Sequence, residues 1–126
     1  MRTLRQQRGS TGERLACAYL RSCGYWIVAT NVRFPVGELD MVAWEGQTLC
    51  FVEVRSSRSP QFGPAAASVT PLKQRHIIRA AQWYLKRLRR QPSTIRFDIV
   101  AIDWPAGKTQ PNVQLIRAAF DASPSY

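Results

Sequence analysis

The sequence predicts an α/β fold with a mixed central β-sheet flanked by helices. Three observations carry this. Two apolar, β-branched runs, Leu39 to Trp44 and Thr48 to Val54, flank a Gly46-Gln47 pair of the kind that closes an antiparallel hairpin. From Leu49 to Asp103 a strand-like run, an amphipathic helical stretch and another strand-like run follow in order, which calls for a right-handed parallel crossover. Both faces of the hairpin are largely apolar, so each needs a covering layer.

The elements follow in turn. Thr11 to Cys23 has Leu15, Ala18, Tyr19 and Cys23 at helical spacing, and Gly24 is a natural residue just past a helix end. Tyr25 to Arg33 reads as a strand, with Pro35 and Gly37 marking a turn into the hairpin. Ser56 to Ser68 is a loop rich in Ser, Pro, Gly and Ala. Thr70 and Pro71 fit the cap and first position of a second helix that extends to about Arg90. Ile77, Ile78, Ala81, Tyr84, Leu85 and Leu88 form its apolar face, and Arg75, Arg79, Gln82, Lys86 and Arg90 a polar stripe. Thr94 to Asp103 and Val113 to Ala119 are the last two strands. A single domain is expected over residues 1–126, with a basic N-terminal arm at 1–9 and a loose tail at 121–126.

The hairpin carries acids where acids are costly. A two-residue turn at Gly46-Gln47 pairs Glu45 with Thr48, Trp44 with Leu49, Val42 with Phe51, Asp40 with Glu53 and Glu38 with Arg55. Opposed residues share a face, so Glu38, Asp40, Val42 and Trp44 lie on one side, and Leu39, Met41 and Ala43 on the other. Asp40 facing Glu53 is a like-charge pair that a divalent cation would turn into an attraction. The alternative is a solvated sheet end where each acid pairs with an arginine.

Composition narrows the partners. Eighteen Lys and Arg against eight Asp and Glu give a formal charge of +10 and suit a polyanion, either nucleic acid or an anionic membrane. No long apolar span or Lys-rich amphipathic anchor favours the membrane, and residues 1–10 lack the apolar core of a signal peptide. Cys17, Cys23 and Cys50 make no metal-ligand pattern, and their odd number within predicted elements suits reduced thiols and a cytoplasmic location. His76 is the only histidine, so any site needing two is excluded.

Taken in order, Gly9-x-x-Gly12-Glu13-x-x-Ala16, Tyr19-Leu20, Gly24-Tyr25, Asn31-x-Arg33, Gly37-Glu38-x-Asp40, Phe51-Val52-Glu53-Val54, Phe62-Gly63, Val69-x-x-x-Lys73 and Arg96-Phe97-Asp98 resemble the YraN family of bacterial proteins. That family's core is similar to restriction endonucleases and Holliday junction resolvases. The resemblance implies a restriction-endonuclease-like sheet and metal-dependent cleavage of phosphodiesters. It assigns Asp40 and Glu53 to the first and second acids of the nuclease motif and Glu13 to a helix-borne acid, the three holding Mg²⁺ or Mn²⁺. The motif's lysine position holds Arg55, which keeps the charge but cannot act as a base.

Around these, Arg58, Lys73, Arg75, Arg79 and Lys86 are expected to contact nucleic acid, DNA above all. Phe62 fits either a groove rim or a pin for its own loop. Glu38 is read as pairing with Arg55 or another base, and Asp98 as part of a buried structural ion pair. Resolvase-like proteins often act as dimers, so a homodimer is a further expectation. Three functions stay open at this point: a metal-dependent endonuclease acting on DNA, including branched structures; a non-catalytic nucleic-acid-binding protein of the same fold; and a protein-interaction module.

Overall fold

In a computed structural model, which describes residues 4–60 and 63–122 and side chains from residue 11 onward within those bounds, five strands form one mixed sheet in the order β1-β2-β3-β4-β5. They are β1 (Trp26–Phe34), β2 (Gly37–Glu45), β3 (Thr48–Ser57), β4 (Thr94–Asp103) and β5 (Asn112–Phe120). Neighbours are antiparallel except β3 and β4, which run parallel through the crossover helix α2 (Pro71–Lys86). The helix α1 (Leu4–Ser22) precedes the sheet.

The hairpin forms as its turn chemistry dictates. Glu45 pairs with Thr48, Trp44 with Leu49 and Val42 with Phe51. Gly46 has a φ of 59° and Gln47 does not share it, as a type II′ loop requires. Each face of the sheet packs its own core. Ala16 and Leu20 of α1 cover Met41, Ala43, Cys50, Val52 and Ile102 on one side. Ile77, Ala80 and Ala81 of α2 cover Val42, Leu49, Phe51 and Phe97 on the other.

Three expectations need correction. α1 starts at Leu4, not Thr11, so most of the expected basic arm is helical backbone. Leu, Arg and Gln favour a helix there without any apolar periodicity to announce it. α2 stops at Lys86, short of Arg90, because the Gln91 side chain donates to the carbonyls of Leu85 (2.7 Å) and Leu88 (3.3 Å). Those bonds satisfy the helix's terminal acceptors, and Pro92 cannot continue it. Leu39 joins the α2-side core with Phe34 and Val42, away from Met41 and Ala43. A residue three before Val42 on the same face means that the two-residue alternation breaks at Asp40.

At its start α2 is capped as the sequence implies: Thr70 Oγ1 accepts from the Lys73 N–H at 3.3 Å and Pro71 occupies the first turn. A short 3₁₀ helix, Ala65–Ser68, leads into it and is tied to the sheet by the Ala65 N–H, which donates to Asp103 Oδ1 at 2.9 Å. The β1–β2 turn lies directly on α2, where a Cβ on Gly37 would come within 2.8 Å of the His76 carbonyl oxygen. Among the described residues no helix is long and apolar enough to cross a membrane.

Candidate metal and nucleic-acid site

The site begins where the β2–β3 ladder ends. Its last pair is Met41 with Val52. Two residues further along β3, the Val54 N–H has no ladder partner on β2 and donates instead to Asp40 Oδ2 at 2.9 Å. A backbone donor in a sheet must be satisfied, and here a side-chain carboxylate replaces the strand carbonyl. On the far side of β2 the pairing steps from Thr30–Met41 to Val32–Leu39 across Asn31, whose φ is 53°. Asparagine tolerates that left-handed conformation better than most residues. The irregularity accounts for the change of face at Asp40.

Glu53 stands next to Asp40 and is almost wholly buried, at 3% exposure. Burial first, then the charge of Asp40, push its pKa up to about 8. Two cations oppose that shift: an Arg55 terminal nitrogen 3.1 Å from Glu53 Oε1, and Lys73 Nζ 3.9 Å from the same oxygen. Their pull opposes the rise without cancelling it, so proton loss from Glu53 is harder than from an ordinary carboxyl. Arg55 Nε is itself buried without a hydrogen-bond partner. The expected Glu38–Arg55 pair does not form; Glu38 lies opposite Arg33 on β1, with Arg33 Nε 3.8 Å from its carboxylate.

Two adjacent carboxylates, one with its pKa raised chiefly by burial, fit a hard divalent cation. Such an ion takes oxygen ligands, and its charge would offset both the burial cost and the repulsion from Asp40. The remaining acid of the expected set is elsewhere. Glu13 Oε1 accepts from Asn31 Nδ2 at 2.6 Å and lines a groove of about 680 Å³ with Arg14, Cys17 and Arg21. No group of three or more His, Cys, Asp or Glu side chains able to share a metal occurs among the described residues. The three-acid set is therefore not assembled there, and Asp40 with Glu53 is what the fold brings together.

The other expected residues separate by position. Lys73 comes to Glu53 itself, because α2 begins beside the end of β3 where that acid lies. Arg75, Arg79 and Lys86 lie exposed along α2. Arg58 leaves the end of β3 to stack over Trp104, 4.8 Å from the ring centre. Phe62 lies outside the described residues. His76 is exposed on α2.

Asp98 has the structural role read for it. It is fully buried and accepts from Tyr25 Oη (2.8 Å), Arg96 Nε (2.8 Å) and the Ala118 N–H (3.0 Å). Arg96 reaches on to Glu45 at 2.6 Å, and Arg117 closes on the same Glu45 carboxylate at 2.6 Å. Sequence reasoning missed Tyr25, Glu45 and Arg117 in this network. Their partners are separated by 51 to 73 residues, beyond any local pattern.

A family profile described as "Uncharacterised protein family UPF0102" matches residues 12–102. The chain belongs to the UPF0102, or YraN, family. A UPF0102 protein of Desulfosudis oleivorans is 45% identical over 119 residues, 94% of each chain. One from Dehalococcoides mccartyi is 39% identical over 116 residues, 92% of this chain and 94% of that one. Another, from Symbiobacterium thermophilum, is 41% identical over 114 residues, 90% of this chain and 96% of that one. The UPF0102 match takes in Glu13, Asp40, Glu53, Arg55, Lys73 and Asp98, and it stops before β5 and Arg117.

Proposed function

We propose that this UPF0102 protein is a metal-dependent endonuclease, acting on DNA, in which Asp40 and Glu53 hold Mg²⁺ or Mn²⁺. The observation that carries the reading is Glu53: a buried acid set beside a second acid and only partly compensated by Arg55 and Lys73. An arrangement kept for stability alone would pair that acid fully, as the fold does for Asp98. When bound, the ion supplies Lewis acidity toward a phosphate oxygen and an acidified water. The chain's own residues do the rest. The Val54 N–H fixes the orientation of Asp40. Arg55, whose side chain is 28% exposed, offers its guanidinium to a phosphate oxygen. Lys73 brings the ammonium that the arginine at position 55 does not, arriving from α2 instead of from the same strand. At 3.9 Å from Glu53 its hydrogen-bond donors remain available for substrate. Three unpaired thiols suit a cytoplasmic setting.

The test is cleavage of linear, flapped and four-way DNA and of structured RNA with Mg²⁺ or Mn²⁺. Asp40→Asn and Glu53→Gln should each lower the rate by about 10²-fold or more, since even loss of an outer-shell partner costs 10–100-fold. Binding of the polyanion should persist. Glu13, bonded to Asn31 and not grouped with Asp40 and Glu53, favours a second reading, a non-catalytic nucleic-acid binder. Wild-type protein that binds these substrates and cuts none of them would establish that second reading in place of the first.

A further inference from the structure

α2 turns an unbroken basic face to solvent. Arg75, Arg79, Trp83 and Lys86 follow one another at three- and four-residue steps, Arg87 at the helix end lies four beyond Trp83, and all are exposed. α2 contains no Asp or Glu, and among the described residues no carboxylate pairs with Arg75, Arg79, Lys86 or Arg87. In the middle of this face Trp83 is 39% exposed. It is not loose. Its ring lies 5.8 Å from that of Phe34 at 52°, and the Arg87 guanidinium covers Phe34 at 4.7 Å. A large aromatic surface is thus held in place between cations and left partly open.

We propose that Trp83 is a stacking platform for an unpaired base, and that nucleic acid lying along α2 is single-stranded at that point. The inference rests on the nucleic-acid reading above and narrows its substrate class to strands with a flap, overhang or opened arm. Every base presents a π-face, so one tryptophan serves any sequence, whereas continuous duplex hides those faces in the stack. The flanking arginines match phosphate oxygens in geometry as well as charge. Lys73 and Trp83 are ten residues apart on one helix, so the platform lies about 15 Å along the axis from the residue that touches Glu53. An acidic peptide would use the arginines and leave the tryptophan's face idle.

The experiment measures affinity of the full chain without divalent metal, by fluorescence anisotropy at one fixed salt concentration. The probes are an oligothymidylate, the same length of abasic strand, and a blunt duplex. Wild type should bind the base-bearing strand about 5- to 30-fold more tightly than the abasic one, the effect of one stacked base. Trp83→Leu, which keeps an apolar contact for Phe34, should erase that difference and leave abasic and duplex affinities unchanged. Trp83→Phe should retain most of it. If the leucine variant does not fold, photocrosslinking of wild type to a 5-iodouracil strand decides, with Trp83 as the expected adduct. Equal wild-type affinity for all three probes overturns this inference and leaves the nucleic-acid reading standing. So do a folded Trp83→Leu that still discriminates, adducts only at other residues, or an acidic peptide of equal charge that competes as well as the oligothymidylate. No binding to any probe at low salt overturns both.

Discussion

Two acids, one half-buried and one fully buried, perform the same backbone task in this fold and end in opposite electrostatic surroundings. Asp40 and Asp98 each sit where a ladder breaks, and each accepts an N–H from a neighbouring strand, Val54 for one and Ala118 for the other. Beside each break a non-glycine residue takes a positive φ, Asn31 at 53° and Ala118 at 52°. From there the regions diverge. Asp98 is enclosed by Arg96 and Tyr25, and the charge is passed outward through Glu45 to Arg117 at the surface. Asp40 is met by another acid, Glu53, whose pKa burial and Asp40 raise against the pull of Arg55 and Lys73. A carboxylate that caps a ladder break therefore says nothing about function by itself. What separates structure from candidate chemistry is whether the surrounding hydrogen bonds and charges close on themselves or leave a deficit.

The largest effect that would test this contrast is on stability at Asp98. Asp98→Ala should destabilise by about 3–5 kcal/mol in urea unfolding, since it strands Arg96 and the Ala118 N–H in the interior. Glu53→Gln should be neutral or stabilising at neutral pH. A large loss from Glu53→Gln would mean that the acid pair is a structural network after all.

The next effect is in pH. Glu53 has a folded pKa near 8, above its ordinary 4.5, so folding favours its protonated form. Its contribution is complete below about pH 4.5 and is lost as pH rises through 8, by on the order of a few kcal/mol. Glu45 behaves in the opposite sense. Arg117, seconded by Arg96, holds it down to about 2, so its contribution is present above 4.5 and disappears as pH falls toward 2. Urea midpoints from pH 5 to 9 should fall for wild type and flatten for Glu53→Gln. Parallel curves for the two would remove the deficit from the argument.

The smallest effect belongs to Arg117. Its side chain is 47% exposed, so Arg117→Ala should cost only about 0.2–1 kcal/mol despite three short contacts to Glu45. Thermal unfolding in low and high salt checks it. A loss several times larger, unaffected by salt, would show that the network draws its stability from the rim instead of from Asp98.

The hairpin register was legible because a glycine-led two-residue turn leaves one pairing, and the crossover because a strand, a helix and a strand in sequence have one favoured hand. Asp40 and Glu53 were legible as neighbouring acids, although the expected strand pair between them does not form, because the ladder ends one position earlier at Met41 and Val52. The change of face at Leu39 was not, since strict alternation assumes an unbroken ladder and Asn31 breaks it. Lys73 was visible only as a cation expected to contact nucleic acid; its approach to Glu53 was not, since it depends on where the crossover sets the start of α2 against the end of β3. Trp83 read as one more aromatic on an amphipathic helix. Only its exposure among unpaired arginines distinguishes it.

Gly37 turns these separate parts into one instrument. It lies three residues before Asp40, and its bare Cα faces the His76 carbonyl of α2 across a gap that a methyl group would reduce to 2.8 Å. That missing methyl acts as a gauge between two surfaces made independently: the hairpin that carries the acid pair, and the helix that carries Lys73 at one end and Trp83 at the other. A rigid backbone carbonyl cannot swing aside as a flexible side chain can. An added Cβ would therefore wedge the hairpin turn off the helix and change the separation of the two surfaces as a whole. The alignment of charge, ring and carboxylate is thus calibrated at a residue that contributes no functional group to any of them.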